Sequence, residues 1–263
     1  MNLQFLIIDT QNDFCAPSGS LFVPGADQDA VRLAAMIRRY QDQITDIHLT
    51  LDSHHWVDIA HPIFWRDAKG KHPAPFTVIS ADAVLNGRWH TTHPGCQQRA
   101  LAYVQTLRAN GRYELVIWPP HCLIGTAGNN VVAPVAEAVL AWEQGFAMVD
   151  YVTKGSNLWT EHYSAVQADV PDPQDPGTQL NIGLITVLEE ADLIVLSGQA
   201  LSHCVANTVR DIADNFGPDS IRKMVLIKDT CSAVPGFEAL GEQFLVDMQA
   251  RGMRTALSTD YLV

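Results

Sequence analysis

The sequence predicts an α/β fold in which a parallel sheet lies between two helical layers, a three-layer α/β/α sandwich. Three observations carry that expectation. Short apolar runs rich in β-formers alternate with amphipathic stretches of helical length. The spacing between successive runs suits βαβ units, which place helices on both faces of a parallel sheet. Several of the runs end in a residue able to do chemistry, and ligands gather at the carboxyl ends of strands in open α/β sheets.

The elements follow in chain order. Phe5 to Ile8 reads as a buried strand ending at Asp9, and Asp27 to Asp42 as a helix with Val31, Ala34, Ala35 and Ile37 on its apolar stripe. Ile47 to Leu51 is a strand ending at Asp52. The next segment, His54 to Pro94, is poorly periodic, rich in Trp, Pro and Gly, and holds six of the ten histidines. A stretch that long without regular structure is usually functional. Gln97 to Ala109 reads as a helix, Leu115 to Trp118 as a strand, Asn130 to Glu143 as a helix, and Ala147 to Thr153 as a strand ending at Lys154. Asn181 to Glu190 is helical and leads into the strand Leu193 to Leu196, which Ser197 and Gly198 interrupt. From Val205 the pattern is helical again, with Val205, Val209 and Ile212 on one side. Met224 to Ile227 is a strand, Phe237 to Gln249 a helix, and Thr255 to Leu257 a last short strand. No repeat or linker divides the 263 residues, so one domain with a long insertion around 55–95 is expected.

Composition narrows the function. The net charge is −12, the isoelectric point about 5.1, and there is no basic run, which disfavours nucleic acid and anionic membranes as partners. No apolar run approaches a membrane span and the N-terminus lacks the features of a signal peptide. Five scattered cysteines without a CxxC pair fit reduced thiols in the cytoplasm. Gln11-Asn-Asp-Phe follows the first strand where a dinucleotide fold would carry its glycine fingerprint, so a Rossmann cofactor is disfavoured.

Asp9, Asp52, His121, Lys154 and Cys204 stand at or just past strand ends. Read singly, Cys204 is a small buried hydrophobe, Asp9 a strand-end cap and Lys154 a solvated surface lysine. Read together, they make a site. Cys204 lies where a strand gives way to a helix, a place where helix-terminal N–H groups and the dipole favour a thiolate. Asp9 can take the thiol proton and Lys154 can hold both charges. The backbone N–H of Cys204 and one from the Gln199–Leu201 turn can hold an oxyanion. Asp52-Ser-His54 puts a carboxylate and an imidazole on one side of a strand, and with His121 it makes a ligand set for zinc, iron or manganese. Asp58, His55 and His61 are open as further ligands.

The motifs Ile7-Ile-Asp9-Thr-Gln-Asn-Asp-Phe14, Leu51-Asp52-Ser-His54, Trp118-Pro-Pro-His121-Cys, Lys154-Gly and Gly198-Gln-Ala-Leu-Ser-His-Cys204-Val occur in this order. Together they resemble the isochorismatase-like cysteine hydrolases, and among them the nicotinamidases most closely, over Phe5 to about Ser232. The resemblance implies a catalytic triad of Asp9, Lys154 and Cys204, an oxyanion hole at Ala200 and Cys204 with a cis peptide before Ala200, and a divalent metal, zinc first, on Asp52, His54 and His121. It also implies a substrate ring held between Phe14, Trp118 and Tyr163, with its nitrogen on the metal, and a homo-oligomer. The reaction it implies is deamidation of nicotinamide to nicotinate through a cysteine thioester. Hydrolysis of another small carboxamide or ureide, vinyl-ether hydrolysis of the isochorismatase type, and a non-catalytic binding role are the alternatives. The 55–95 stretch departs from the small members of the family and is expected to cover the pocket or reach a neighbouring subunit.

Overall fold

The computed structural model describes residues 1–262. Six parallel strands form the central sheet: β1 (Leu3–Ile8), β2 (Ile44–Asp52), β3 (Asp150–Lys154), β4 (Leu193–Gly198), β5 (Met224–Ile227) and β6 (Arg254–Ala256), in the order β6-β5-β4-β1-β2-β3. β1 lies in the middle, paired with β4 from Leu3↔Leu193 to Ile8↔Gly198 and with β2 on its other side. Every residue of β1 is buried, including the polar Gln4, as expected of a strand covered on both faces.

The chain moves one way from β1 to β2 and β3, and the opposite way from β4 to β5 and β6. Right-handed crossovers therefore place the helices on opposite faces. α1 (Ala26–Tyr40) and α3 (Ala133–Glu143) pack together, and α5 (Ala206–Asn215) packs on α6 (Glu238–Ala250); α2 (Gln97–Ala109) and α4 (Ile182–Glu189) complete the set of long helices. The reversal of direction between β1 and β4 is a topological switch point, and the crevice above it is where such sheets bind ligands. Asp9 leaves β1 there and the loop to Cys204 leaves β4 there.

Three sequence expectations are corrected. The apolar stripe of α1 is Ala30, Leu33, Ala34 and Ile37; Val31 is half exposed and Ala35 also faces solvent, because the 3.6-residue period turns them outward. Leu115–Val116 does not join the central sheet but pairs antiparallel with Val78–Ile79. The slot beside β2 is taken by β3, from His48↔Asp150 to Asp52↔Lys154, and a short apolar run reads the same in either setting. The strand ending at Cys204's loop continues through Ser197 and Gly198. Gly198 stands at φ +126, and a Cβ there would meet Ile8 O at 1.9 Å, so only glycine lets β4 close on β1 at this level.

The 55–95 segment is not structureless. It holds a helix at Ala81–Leu85 and the ribbon Trp65–Arg66 with His90–Thr91, and Trp65 is fully buried with its indole donating to Ile59 O. It backs the segment after Leu115–Val116 that carries Trp118, whose N–H donates to Ala60 O.

Candidate active site

Asp9 ends β1 at φ +47, a left-handed conformation that is costly for a non-glycine residue and is held by its surroundings. Its N–H donates to Thr50 O and Oγ1, and the Thr50 hydroxyl donates back to Asp9 Oδ1. Lys154 ends β3 and, at 3% exposure, is no surface lysine. Its Nζ lies 2.8 Å from Asp9 Oδ2, 3.0 Å from Asp52 Oδ1 and 3.7 Å from Cys204 Sγ. The contact to Asp9 Oδ2 is an ion pair that is off-line for a hydrogen bond, so among the described residues this oxygen lacks an aligned donor. Asp9 and Cys204, remote in sequence, thus converge on the ammonium group of Lys154, the third predicted triad residue.

The residue after Lys154 is constrained by the same cluster. Gly155 has φ +83, and a Cβ on it would come within 2.6 Å of Asp52 Oδ1. The Lys-Gly pair is what lets Asp52 sit beside the ammonium.

Burial raises the Asp9 carboxyl above its usual range, with the Lys154 charge pulling the other way and Asp52 pushing it further up. Burial also opposes ionisation of Asp52, but His54 and Lys154 outweigh it and hold that carboxyl well below the usual range. Desolvation works against the Lys154 charge, and the Asp52 and Asp9 carboxylates reverse it, leaving the ammonium firmly protonated. Cys204 corrects the sequence reading. Burial pushes its thiol well up, Lys154 only partly opposes this, and Asp9 and Asp52 add to it. The helix-terminus effect invoked for a resting thiolate is outweighed, and Cys204 rests as a thiol.

The peptide between Gln199 and Ala200 is cis, as the resemblance implies. Cys204 lies in a wide turn, Leu201–Val205, that opens into α5; Val205, Val209 and Ile212 of the predicted stripe are fully buried. Gln199 is pinned by Asp29, which accepts from its Nε2 at 2.9 Å, and by Ser232 N, which donates to its Oε1.

Asp52, His54 and His121 come together with donor atoms all within 4.8 Å of one another. Both imidazoles are aimed from behind. His54 Nδ1 is 3.0 Å from Asp58 Oδ2, and His121 Nδ1 donates to Pro119 O at 2.9 Å. This leaves both Nε2 atoms turned to Asp52 Oδ2, at 3.0 and 3.5 Å. Buried carboxylate and imidazole donors, converging and oriented by outer partners, fit a divalent metal. Of the further ligands left open, Asp58 is one of those outer partners and His55 is exposed. His61 is fully buried, its Nε2 lacks a hydrogen-bond partner, and burial holds its imidazole down to about 4, neutral beside His54 and His121.

A narrow cavity joins the two clusters. Asp52, His121, Ala200 and Cys204 line it together with the predicted Phe14, Trp118 and Tyr163. No residue of 55–95 lines it, so that segment supports Trp118 from behind and does not form a wall of the cavity. The sequence reading missed Glu161 and His203, which also line it. Both signals were present: His203 directly precedes the nucleophile candidate, and Glu161 precedes Tyr163 by two. The reading also gave no role to Gln11, whose side chain accepts from Asp52 N and donates to Asp52 O, fixing the start of the Asp52-Ser-His54 turn.

No protein-family description matches the chain. The nicotinamidase of Saccharomyces cerevisiae is 25% identical over 209 residues, 80% of each chain. The structure of the yeast nicotinamidase bound to the inhibitor nicotinaldehyde superposes with a TM-score of 0.68 at 19% identity, over 97% of this chain and 99% of that one. An Acinetobacter baumanii nicotinamidase/pyrazinamidase gives 0.66 at 23% identity, over 98% and 97%. The pyrazinamidase of Pyrococcus horikoshii in complex with zinc gives 0.58 at 18%, over 98% and 99%. The likeness read from the motifs is met again in a curated relative and in the architecture: the chain resembles the nicotinamidases, of the isochorismatase-like hydrolases, and has their fold.

Proposed function

We propose that the protein is a cysteine amidohydrolase that deamidates nicotinamide to nicotinate and ammonia. The observation that carries this is the meeting of Asp9, Lys154 and Cys204 at a cavity walled by Phe14, Trp118 and Tyr163. In this reading the ring is held among the aromatic side chains and the carboxamide lies over Cys204. Asp9, with an open oxygen and a raised pKa, takes the thiol proton as Sγ bonds to the carboxamide carbon. Lys154 stays charged and balances the Asp9 and Asp52 carboxylates and the forming thiolate. The amides of Ala200 and Cys204 stabilise the oxyanion; among the described residues the Ala200 N–H has no backbone acceptor. The C–N bond breaks, and the proton held by Asp9 leaves with ammonia. Water then cleaves the thioester, giving its proton to Asp9, and the thiol is restored.

Asp52, His54 and His121 would hold a divalent metal, zinc in our reading, and the zinc named with the Pyrococcus structure supports that choice. When bound, it supplies a Lewis acid at one end of the cavity. The nicotinamide reading rests on the yeast relative, and the five free cysteines support a reducing, cytoplasmic setting. A role in salvage of the NAD precursor and assembly as a homo-oligomer are carried over from the resemblance. Among the described residues no helix is long and apolar enough to cross a membrane.

The test is ammonia release from nicotinamide by wild type and by Cys204→Ala. Release by wild type alone supports the reading. Equal release by both removes the nucleophile, and none from either moves the substrate to another small carboxamide or ureide.

A further inference from the structure

One polar side chain on the cavity wall is used neither by the triad nor by the metal set. His203 is 3% exposed and lines the cavity next to Cys204. Its ring sits in an aromatic cage, with centroids of Phe237, Trp118, Tyr163 and Tyr113 at 4.9, 5.2, 5.2 and 5.5 Å. Burial holds its imidazole down to about 3, so it is uncharged throughout the neutral range.

The tautomer is set from outside the cavity. Val234 N–H donates to Ser202 Oγ at 3.1 Å, and Ser202 Oγ lies 2.9 Å from His203 Nδ1. Among the described residues the Ser202 hydroxyl has no other acceptor, so its proton goes to Nδ1. An accepting Nδ1 requires the ring proton on Nε2. Among the described residues that N–H has no protein acceptor, and the side chain lines the cavity. An unpaired donor on a cavity wall is available to an acceptor on whatever the cavity holds. Asp52 and His121 line the same cavity, and the resemblance gives one ring nitrogen to the metal they would hold, so a donor at His203 calls for a second acceptor.

We propose that His203 is a specificity-determining residue, whose Nε2–H donates to a second hydrogen-bond acceptor on the substrate ring and so favours carboxamides that carry one. This rests on the amidohydrolase reading above. The hydrogen bond adds no step to the reaction, and its effect falls on binding.

The experiment compares kcat and KM for nicotinamide, which has one ring acceptor, and pyrazinamide, which has two, in wild type, His203→Phe, His203→Gln and His203→Asn. The pyrazinamide-to-nicotinamide ratio of kcat/KM should fall about tenfold or more in His203→Phe, mainly through KM. His203→Gln, whose amide nitrogen reaches the Nε2 position, should restore it. His203→Asn, whose amide reaches only the Nδ1 position, should not. The 15N spectrum of ligand-free wild type should show His203 protonated on Nε2, and Ser202→Ala should lose that preference. A ratio unchanged within twofold in His203→Phe, or the same ratio in the Gln and Asn variants, overturns the inference while leaving the activity standing. If wild type hydrolyses neither amide, the nicotinamide reading fails and this inference with it.

Discussion

Asp9 and Asp29 are both buried carboxylates that serve the same strand-end crevice, and they are partnered in opposite ways. Asp29, in the first turn of α1, has aligned donors on both oxygens. Its Oδ1 accepts from Arg32 at 2.6 Å, and its Oδ2 accepts from Gln199 at 2.9 Å and Ser232 at 2.6 Å. Asp9 has one oxygen bound by the Thr50 hydroxyl and the other beside an ammonium but without an aligned donor. A carboxylate with aligned donors on both oxygens is suited to holding geometry. One left short of donors, in a site where burial raises its pKa, is fitted to receive one. Burial alone therefore does not mark the base; the missing donor does.

The largest effect should come from exchanging the two kinds of loss. Asp9→Asn should lower ammonia release by about 10²–10⁴-fold while leaving the thermal midpoint unchanged or higher, since an uncharged amide is cheaper to bury. The acid limb of the kcat/KM profile should lie above the ordinary aspartate range, because Asp9 must be ionised and its pKa is raised; activity then falls as pH drops through that raised value. Asp29→Ala should do the reverse. It should cost about 1–3 kcal/mol of stability by stranding the Gln199 amide and the Ser232 hydroxyl, with an activity loss of about tenfold. If Asp29→Ala harms activity more than Asp9→Asn does, the contrast between brace and base is wrong.

Lys154 joins the two functional clusters, so its loss should be felt in both. Lys154→Met leaves Asp9 and Asp52 facing each other without a cation. Breaking such a buried set destabilises by about 3–5 kcal/mol, to be read from urea denaturation at neutral pH. A variant as stable as wild type would mean that the ammonium is not the group that balances these carboxylates.

A smaller and more local change tests the metal set. Asp58 touches no metal donor atom of Asp52 or His121; it orients His54 through Nδ1 and caps Ala60 N. Asp58→Asn should weaken metal binding by about 10–100-fold in a chelator competition, without slowing alkylation of Cys204 in the chelated protein. Equal metal affinity in both forms would return Asp58 to a purely structural role.

The parts legible in the sequence and the parts missed differ for physical reasons. β1, β4 and β5 were legible because strands buried on both faces must be continuously apolar. Asp9, Lys154 and Cys204 were legible because strand ends at a switch point share one crevice. Leu115–Val116 was misplaced because an apolar run reports burial and does not name its partner. The thiol state of Cys204 was misread because helix-end polarity can be inferred from a sequence, whereas burial and the charges of Asp9 and Asp52 depend on contacts between distant residues. The same holds for His203, whose tautomer is set by Ser202 and by Val234 from another loop.

Glu161 offers the smallest and most specific test of the principle that separates Asp9 from Asp29. It is fully buried and has hydrogen bonds from Trp118 Nε1 at 3.2 Å and His162 N at 3.4 Å, yet burial still lifts its carboxyl to about 8, with His54 pulling down and Asp58 and Asp52 pushing up. Its folded pKa lies above the unfolded value near 4.5, so the folded protein holds a proton that the unfolded chain releases. The Glu161 contribution to the stability of the chelated protein is therefore greatest below about pH 4.5, falls as pH rises through the window to about 8, and levels off above it. Asp169, raised to about 6, adds to the lower part of that slope. Glu161→Gln keeps an acceptor for the Trp118 indole and removes the titration. Its thermal midpoint should gain on wild type steadily between pH 5 and pH 8. A constant offset across that range would mean that Glu161 is ionised in the folded protein at pH 5. Two donors would then suffice to hold a buried carboxylate charged, and the open oxygen of Asp9 would stand as the whole difference between the base and the brace.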